Sequence, residues 1–337
     1  MSNWPIAYPH WVPGTSSWIE LMRGAKKAIE QCAKVQPGEK VVISTDTNKM
    51  RIAEALAAAA MNVGAVPTIV TILPPGAHGA QLPDPVVKAV AASDVFFLPT
   101  SYSQTHTDAR IQAIKNGARG ATMCDITEDA LCTGAILGDF DECDRIGRIL
   151  GAAMDQSVEM RMTTPAGTDI KGIIKGRPVQ YETGIFSKPG QFGAFPDSEV
   201  NISPLEGTAE GVIVADVRVM SVGVTRTEPI TFHVKNGSIY KIEGGPGAED
   251  ISAILAGFND PTAYNLAEFA IGLNPAARAY CTNLEDLGKL GFGHCGIGSN
   301  YAIGGSILAP CHIDAMFKDV TVYLDGKPVI DKGELLI

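Results

Sequence analysis

The sequence contains no run of about 18 apolar residues, so it offers no candidate transmembrane helix. It also lacks the basic excess that phosphate contacts demand. Against 27 Lys and Arg stand 37 Asp and Glu, a formal charge of −10 that argues against a nucleic-acid partner. There is no C-x-x-C pair. The seven cysteines, Cys32, Cys124, Cys132, Cys143, Cys281, Cys295 and Cys311, are scattered and odd in number, which predicts reduced thiols rather than a disulfide framework. Met1 to Ser17 hold Trp4, Pro5, His10 and Pro13 but no basic start followed by an apolar stretch. A secretory signal is therefore not expected, and the chain reads as cytoplasmic. Neither G-x-G-x-x-G nor a Walker lysine follows the first expected strand, where the turn is Ser44-Thr45-Asp46-Thr47-Asn48. The glycines of Gly304-Gly305-Ser306 and Gly244-Gly245-Pro246-Gly247 suit turns better than phosphate cradles.

What is present is ordinary globular material. Hydrophobic residues make up 45% of the 337 and charged ones 19%. A chain of this size buries roughly three quarters of its unfolded surface, with no staple needed simply to fold. The first 155 residues alternate between two periods. Ser17-Trp18-Ile19-Glu20 has the capping-box form and opens a helix to about residue 33. Further helices are expected at about 49–63, 85–92, 107–116 and 139–154, with apolar strands at 41–44, 68–73, 94–98 and 120–125 between them. That alternation predicts an α/β domain with a mostly parallel, doubly wound sheet covered on both faces. After about Gln156, strand follows strand, at 212–220, 229–234, 238–242, 320–324 and 328–330, with Asn236-Gly237 and Asp325-Gly326 as hairpin turns. A helix is expected at about 261–271. The expected organisation is two domains, 1–155 and 156–337, the second a β-rich α+β domain carrying the chemistry.

Several residues of the second half suit metal chemistry, each with a plainer reading beside it. His312-Ile313-Asp314 precedes a strand-like stretch, and residues two apart in extended chain face one side. The imidazole and the carboxylate project together, either as two ligands for one cation or as a surface hydrogen-bonded pair. His294 lies in Gly291-Phe292-Gly293-His294-Cys295-Gly296, whose glycines permit close backbone approach. Glu268 stands among Leu266, Ala267, Phe269, Ala270 and Ile271 on the expected helix. Buried there it needs a partner, which a metal supplies; on the wet side it needs none. Glu199, in Phe195-Pro196-Asp197-Ser198-Glu199-Val200, sits at a loop-to-strand junction where an exposed carboxylate is unremarkable. His106, followed by Thr107 and Asp108, is a substrate contact from the first domain or part of a helix-capping turn. Cys295 and Cys311 neighbour these positions, but adjacent residues in extended chain point oppositely, which reads them as packing cysteines.

These segments, with His106-Thr107-Asp108-Ala109-Arg110, Gly117-Ala118-Arg119, Gly167-Thr168-Asp169 and the stretch from Ala267 to Pro275, carry a resemblance. From about Gly38 to Ile330 the chain resembles the aminopeptidase T (thermophilic metalloprotease) family and its short relatives, which include iron-dependent 2,5-dihydroxypyridine 5,6-dioxygenases. The peptidases hold two metal ions with two glutamates, two histidines and an aspartate, beside an assisting tyrosine. The resemblance maps these onto Glu199, Glu268, His294, His312 and Asp314, with Tyr301, seven residues after His294, as the tyrosine. In the dioxygenase branch the position of Glu268 is a histidine that helps bind a single iron, and that of His294 is not a ligand. The short chain thus leans toward the small-molecule branch and the ligand set toward the dinuclear hydrolases.

The ligand set decides the expectation: a metal-dependent hydrolase cleaving a C–N bond in a small amide or short peptide. One or two divalent ions (Zn, Co, Mn or Fe(II)) would activate a water, Glu199 or Glu268 would handle a proton and Tyr301 would assist the oxyanion. The rival is a mononuclear iron(II) dioxygenase opening a hydroxylated N-heteroaromatic ring, with His294, His312 and Asp314 as its triad. A binding protein without catalysis is the third reading, disfavoured because buried carboxylates are costly without a cation. The resemblance also implies a homo-oligomer with a small-molecule or short-peptide substrate and no membrane partner.

Overall fold

The strand Lys40–Asp46 is buried from Val41 onward and pairs in parallel with Val66–Ile72 on one side and Val95–Thr100 on the other. Arg119–Cys124 and then Phe192–Ala194 extend the sheet, again in parallel. The computed structural model describes residues 17–105 and 107–337, so the segment before Ser17 and the candidate His106 lie outside the described residues. This first unit runs to Gly138 and takes back Ile185–Pro196. Its helices, among them Met50–Asn62, Asp84–Ala91 and Asp108–Lys115, alternate with the strands as the two periods predict. The expected capping box is present: Glu20 N–H donates to Ser17 Oγ at 3.2 Å, and Ser17 N–H donates to Glu20 Oε2 at 2.9 Å. The strand 192–194 had no sequence signal, because a three-residue strand has no readable period and its partner is remote in the chain.

The second unit comprises Asp139–Gly184 and Asp197–Ile337, and the helix Phe140–Gln156 falls within it. It holds two antiparallel sheets. One runs, edge to edge, Ser238–Glu243, Ile230–Lys235, Glu210–Ala215, Asp169–Ile173, Glu159–Thr163, Thr321–Leu324, Lys327–Asp331 and Glu334–Leu335. The other runs Gly223–Val224, Arg218–Val219, His312–Lys318, Phe292–Gly298, Leu266–Gly272, Glu199–Ile202 and Gln180–Glu182. Both contribute to one apolar cluster, with Met162, Ile170, Ile213 and Phe232 from the first and Val200, Phe269, Cys295 and Phe317 from the second. The expected hairpin turns hold: Asn236 and Gly237 have φ of 50° and 72°, and Asp325 and Gly326 have 49° and 77°, the left-handed pair that a two-residue turn of this hand requires.

One element is corrected. No helix spans 261–271: a 3-10 turn, Pro261–Tyr264, leads into the strand Leu266–Gly272, buried at every position. A strand covered on both faces reads as a continuous apolar run, which periodicity alone does not separate from a buried helix. The longer helix after the hairpin is instead Pro246–Gly257, with proline in its first turn, on a segment whose glycines read as a turn.

Candidate metal centre

The seven-stranded sheet has one apolar face and one that carries chemistry. Phe269 and Ile271, Cys295 and Ile297, and Ile313, Ala315 and Phe317 pack into the core. The alternate residues of the same strands therefore point the other way. Register then sets them side by side: Gly272 opposite Glu199, Ala270 opposite His294, Gly296 opposite Asp314, and Gly298 opposite His312. Glu268 joins this face through a β-bulge between Leu266 and Glu268. Without it, residues two apart would share a face; with it, Leu266 stays in the core while Glu268 is re-aimed, a use of bulges common beside functional sites.

Five side chains meet there in two overlapping groups. Ligand atoms of Glu199, Glu268 and His294 all lie within 4.8 Å of one another, as do those of Glu268, His312 and Asp314. Glu268 belongs to both. His312 Nε2 is 2.8 Å from Glu268 Oε2 and 3.2 Å from Asp314 Oδ1, and His294 Nε2 is 3.6 Å from Glu199 Oε2. The grouping of His294, His312 and Asp314 expected for a two-histidine triad is not among these sets; the tight set around His312 has one histidine and two carboxylates. Four of the five are buried, whereas the His312 side chain is 29% exposed and marks the side that solvent reaches.

The donor set fits a divalent cation. Glu199 Oε2 and Asp314 Oδ1 are buried with no well-formed hydrogen bond, each only facing an imidazole, His294 at 3.6 Å and His312 at 3.2 Å, and carboxylate oxygens so poorly satisfied are costly unless a cation binds them. His312 Nδ1 donates to the Ser299 carbonyl at 2.7 Å, which leaves Nε2 turned to the carboxylates, the usual outer support of a metal-binding imidazole. Asn201 Nδ2 donates to Glu199 Oε1 at 2.8 Å, leaving Oε2 to the site. Gly296 supplies the room: a Cβ there would stand 2.8 Å from Glu268 Cβ and from His312 Nε2.

The electrostatics agree. Burial, reinforced by Asp197 and Glu268, pushes the Glu199 carboxyl well above its ordinary value. Burial alone would lower His312, but Asp314 and Glu268 outweigh it and hold the imidazole well above its ordinary range. Burial would raise Asp314, and His312 instead draws it down. The Cys295 thiol, on the core face, is pushed well up by burial, which disfavours the thiolate.

Tyr301 sits on a three-residue 3-10 turn, 64% exposed. Sequence reasoning missed Asn201 and Ser299, which have no local signal, and the bulge, which no composition announces. Gly296 had a signal, since glycines at 296 and 298 stand at period two from His294.

A family model described as 2,5-dihydroxypyridine 5,6-dioxygenase matches residues 20–337. A curated relative, a 2,5-dihydroxypyridine 5,6-dioxygenase of Pseudomonas putida KT2440, is 28% identical over 205 residues, which is 56% of this chain and 58% of the relative's length. Among solved structures, the 2,5-dihydroxypyridine dioxygenase from Pseudomonas putida KT2440 superposes with a TM-score of 0.80 at 22% identity, covering 95% of this chain and 98% of that one. Wild-type AmpT from Thermus thermophilus gives 0.69 at 17%, covering 95% and 99%. These two likenesses speak for the fold alone.

The expectation of a C–N hydrolase of peptidase type is corrected by the family match. Its physical basis was too thin: carboxylates and imidazoles around a cation serve hydrolysis and oxygen chemistry alike, so the donor set does not choose the reaction. Matched from residue 20 to residue 337, the chain belongs to the NicX family of 2,5-dihydroxypyridine 5,6-dioxygenases.

Proposed function

We propose that this protein is a metal-dependent dioxygenase that opens the ring of a 2,5-dihydroxypyridine or a close analogue. The observation that carries the reading is the family match over 20–337, together with a buried carboxylate–imidazole cluster with unsatisfied oxygens. Glu268, His312 and Asp314 would hold the ion, with Glu199 and His294 beside them. Iron(II) is the ion that fits this reaction, because it supplies the one-electron chemistry with oxygen that organic side chains lack.

The chain's own residues do the rest. Ser299 orients His312 through Nδ1, and Asn201 orients Glu199 through Oε1. Glu199 Oε2 is turned into the site, and with a bound cation opposing the burial that raises its carboxyl, it would accept a proton from a ring hydroxyl. The partly exposed His312 side admits the substrate, while buried Glu199, Glu268 and His294 form the wall away from water.

The test is an oxygen-electrode trace on iron(II)-loaded protein with 2,5-dihydroxypyridine. Stoichiometric oxygen uptake that stops on chelation is expected; ring loss without oxygen uptake, or none with a fully loaded protein across dihydroxypyridine isomers, would sink the reading.

A further inference from the structure

The strands carrying His294 and His312 are joined by a connection that begins by closing around one buried side chain. Asn300 is fully buried; its Oδ1 accepts from the Ile307 amide at 2.8 Å, and its Nδ2 donates to Ser203 Oγ at 3.0 Å and to Glu206 Oε1 at 2.9 Å. Glu206 Oε1 also accepts from the amide and the hydroxyl of Ser306 at 2.8 and 3.0 Å, and Oε2 pairs with Arg177. Arg177 donates in turn to the Gly304 carbonyl at 2.7 Å. Two residues from a distant part of the unit thus grip the turn at positions 300, 304 and 306. The turn also closes on itself, the Asn300 and Tyr301 amides donating to the Ile307 carbonyl at 3.1 Å and the Gly305 amide to the Asn300 carbonyl at 2.9 Å, while Gly304 sits at φ +91° and a side chain at Gly305 would collide with Asn300 at 1.9 Å.

The residue next to Asn300 is Ser299, whose carbonyl receives His312 Nδ1–H. His312 is the most exposed of the five clustered side chains, so packing does least to fix its ring, and the bond from Nδ1 to Ser299 is what holds it when Nε2 turns from Glu268 to an ion. We propose that Glu206 and Arg177 are positioning residues for the metal centre: by clamping the Asn300 turn they hold the Ser299 carbonyl against His312, and so keep His312 Nε2 turned to Glu268 and Asp314. The inference rests on reading His312 as a metal ligand. Neither Glu206 nor Arg177 touches that cluster, and their effect on it passes through the backbone of the turn.

The experiment uses the full chain loaded with cobalt(II), reading cobalt affinity by titration and the exchange of cobalt-shifted imidazole N–H protons by NMR. Loss of a group that supports a ligating histidine directly typically weakens metal binding about 10–100-fold, and Glu206, one step further out, should show the low end, about tenfold, in Glu206→Ala. At full cobalt occupancy one imidazole N–H signal should also exchange faster with solvent. Glu206→Gln, which keeps the acceptor for Asn300 and Ser306 but loses the charge pair with Arg177, should lose clearly less than Glu206→Ala. Arg177→Ala, which frees the Gly304 carbonyl, should move both readouts in the same direction and carries the test if Glu206→Ala does not fold. Folded clamp variants with parental affinity and unaltered N–H exchange, whatever their loss of melting temperature, would overturn this inference alone. A parent protein that binds no cobalt would overturn it together with the metal-site reading.

Discussion

Gly296 and His312 stand on neighbouring strands so close that a single methyl at position 296 would lie 2.8 Å from both Cε1 and Nε2 of the imidazole. Such a distance forces something to shift, and the φ of Gly296 is not in the left-handed range, so the requirement is for space, not conformation. Gly296→Ala should therefore fold, at a cost of about 1–3 kcal/mol from overpacking. Its metal affinity should fall at least about tenfold, because His312 is pushed from Glu268 and Asp314. Urea unfolding and a metal titration on the same sample check both halves; unchanged affinity would show that the ion does not use His312.

Removing a proposed ligand should act differently from crowding it. His312→Ala leaves Asp314 Oδ1 and Glu268 Oε2 without the imidazole each now faces, at 3.2 and 2.8 Å. Metal content and turnover should disappear together, and saturating iron(II) should restore neither. Elemental analysis after gel filtration reads the first, and full occupancy in the variant would remove His312 from the ligand set.

The N-terminal half was legible because its strands and helices have different periods and short connections. The H-x-D pair was legible for a similar reason: His312 and Asp314 share a strand face by the period of two alone, and the imidazole and carboxylate do meet. Glu268 was placed in the wrong element, since a doubly covered strand with a bulge has neither period. The partners Asn201, Ser299 and Glu206 were invisible because each acts across a register or a loop closure that links distant segments. The ligands alone did not choose between hydrolysis and oxygen chemistry; the family, matched over residues 20–337, lies outside what they encode.

Glu206 gives a pH signature. Burial would raise its carboxyl, but the Ser306 amide and the Asn300 side chain more than reverse this and lower it to about 2 from 4.5. A carboxylate depressed on folding adds stability above its unfolded value, and that stability is lost as pH falls through the folded value. The melting temperatures of the parent and Glu206→Ala should therefore differ most above about pH 5 and converge as pH drops toward 2. Thermal scans across that window check it; a gap that widens on acidification would contradict the assignment.

Asn201→Ala removes the donor that holds Glu199 Oε1 at 2.8 Å. If Glu199 takes the ring-hydroxyl proton, the loss should fall on kcat with metal content retained, and Asn201→Asp should be worse, since it sets a second carboxylate against the first. Steady-state kinetics on metal-quantified protein decides this; equal turnover in all three proteins would remove Glu199 from proton transfer.

If this protein opens the ring as a dioxygenase, both atoms of one oxygen molecule end in the product. Turnover of 2,5-dihydroxypyridine by iron(II)-loaded protein under isotopically labelled oxygen gas, quenched early and read by mass spectrometry, tests it most directly. Two labelled oxygens in each product molecule are expected, with no product under strict anaerobiosis. Product formed without oxygen, or carrying new oxygen from water alone, would contradict it.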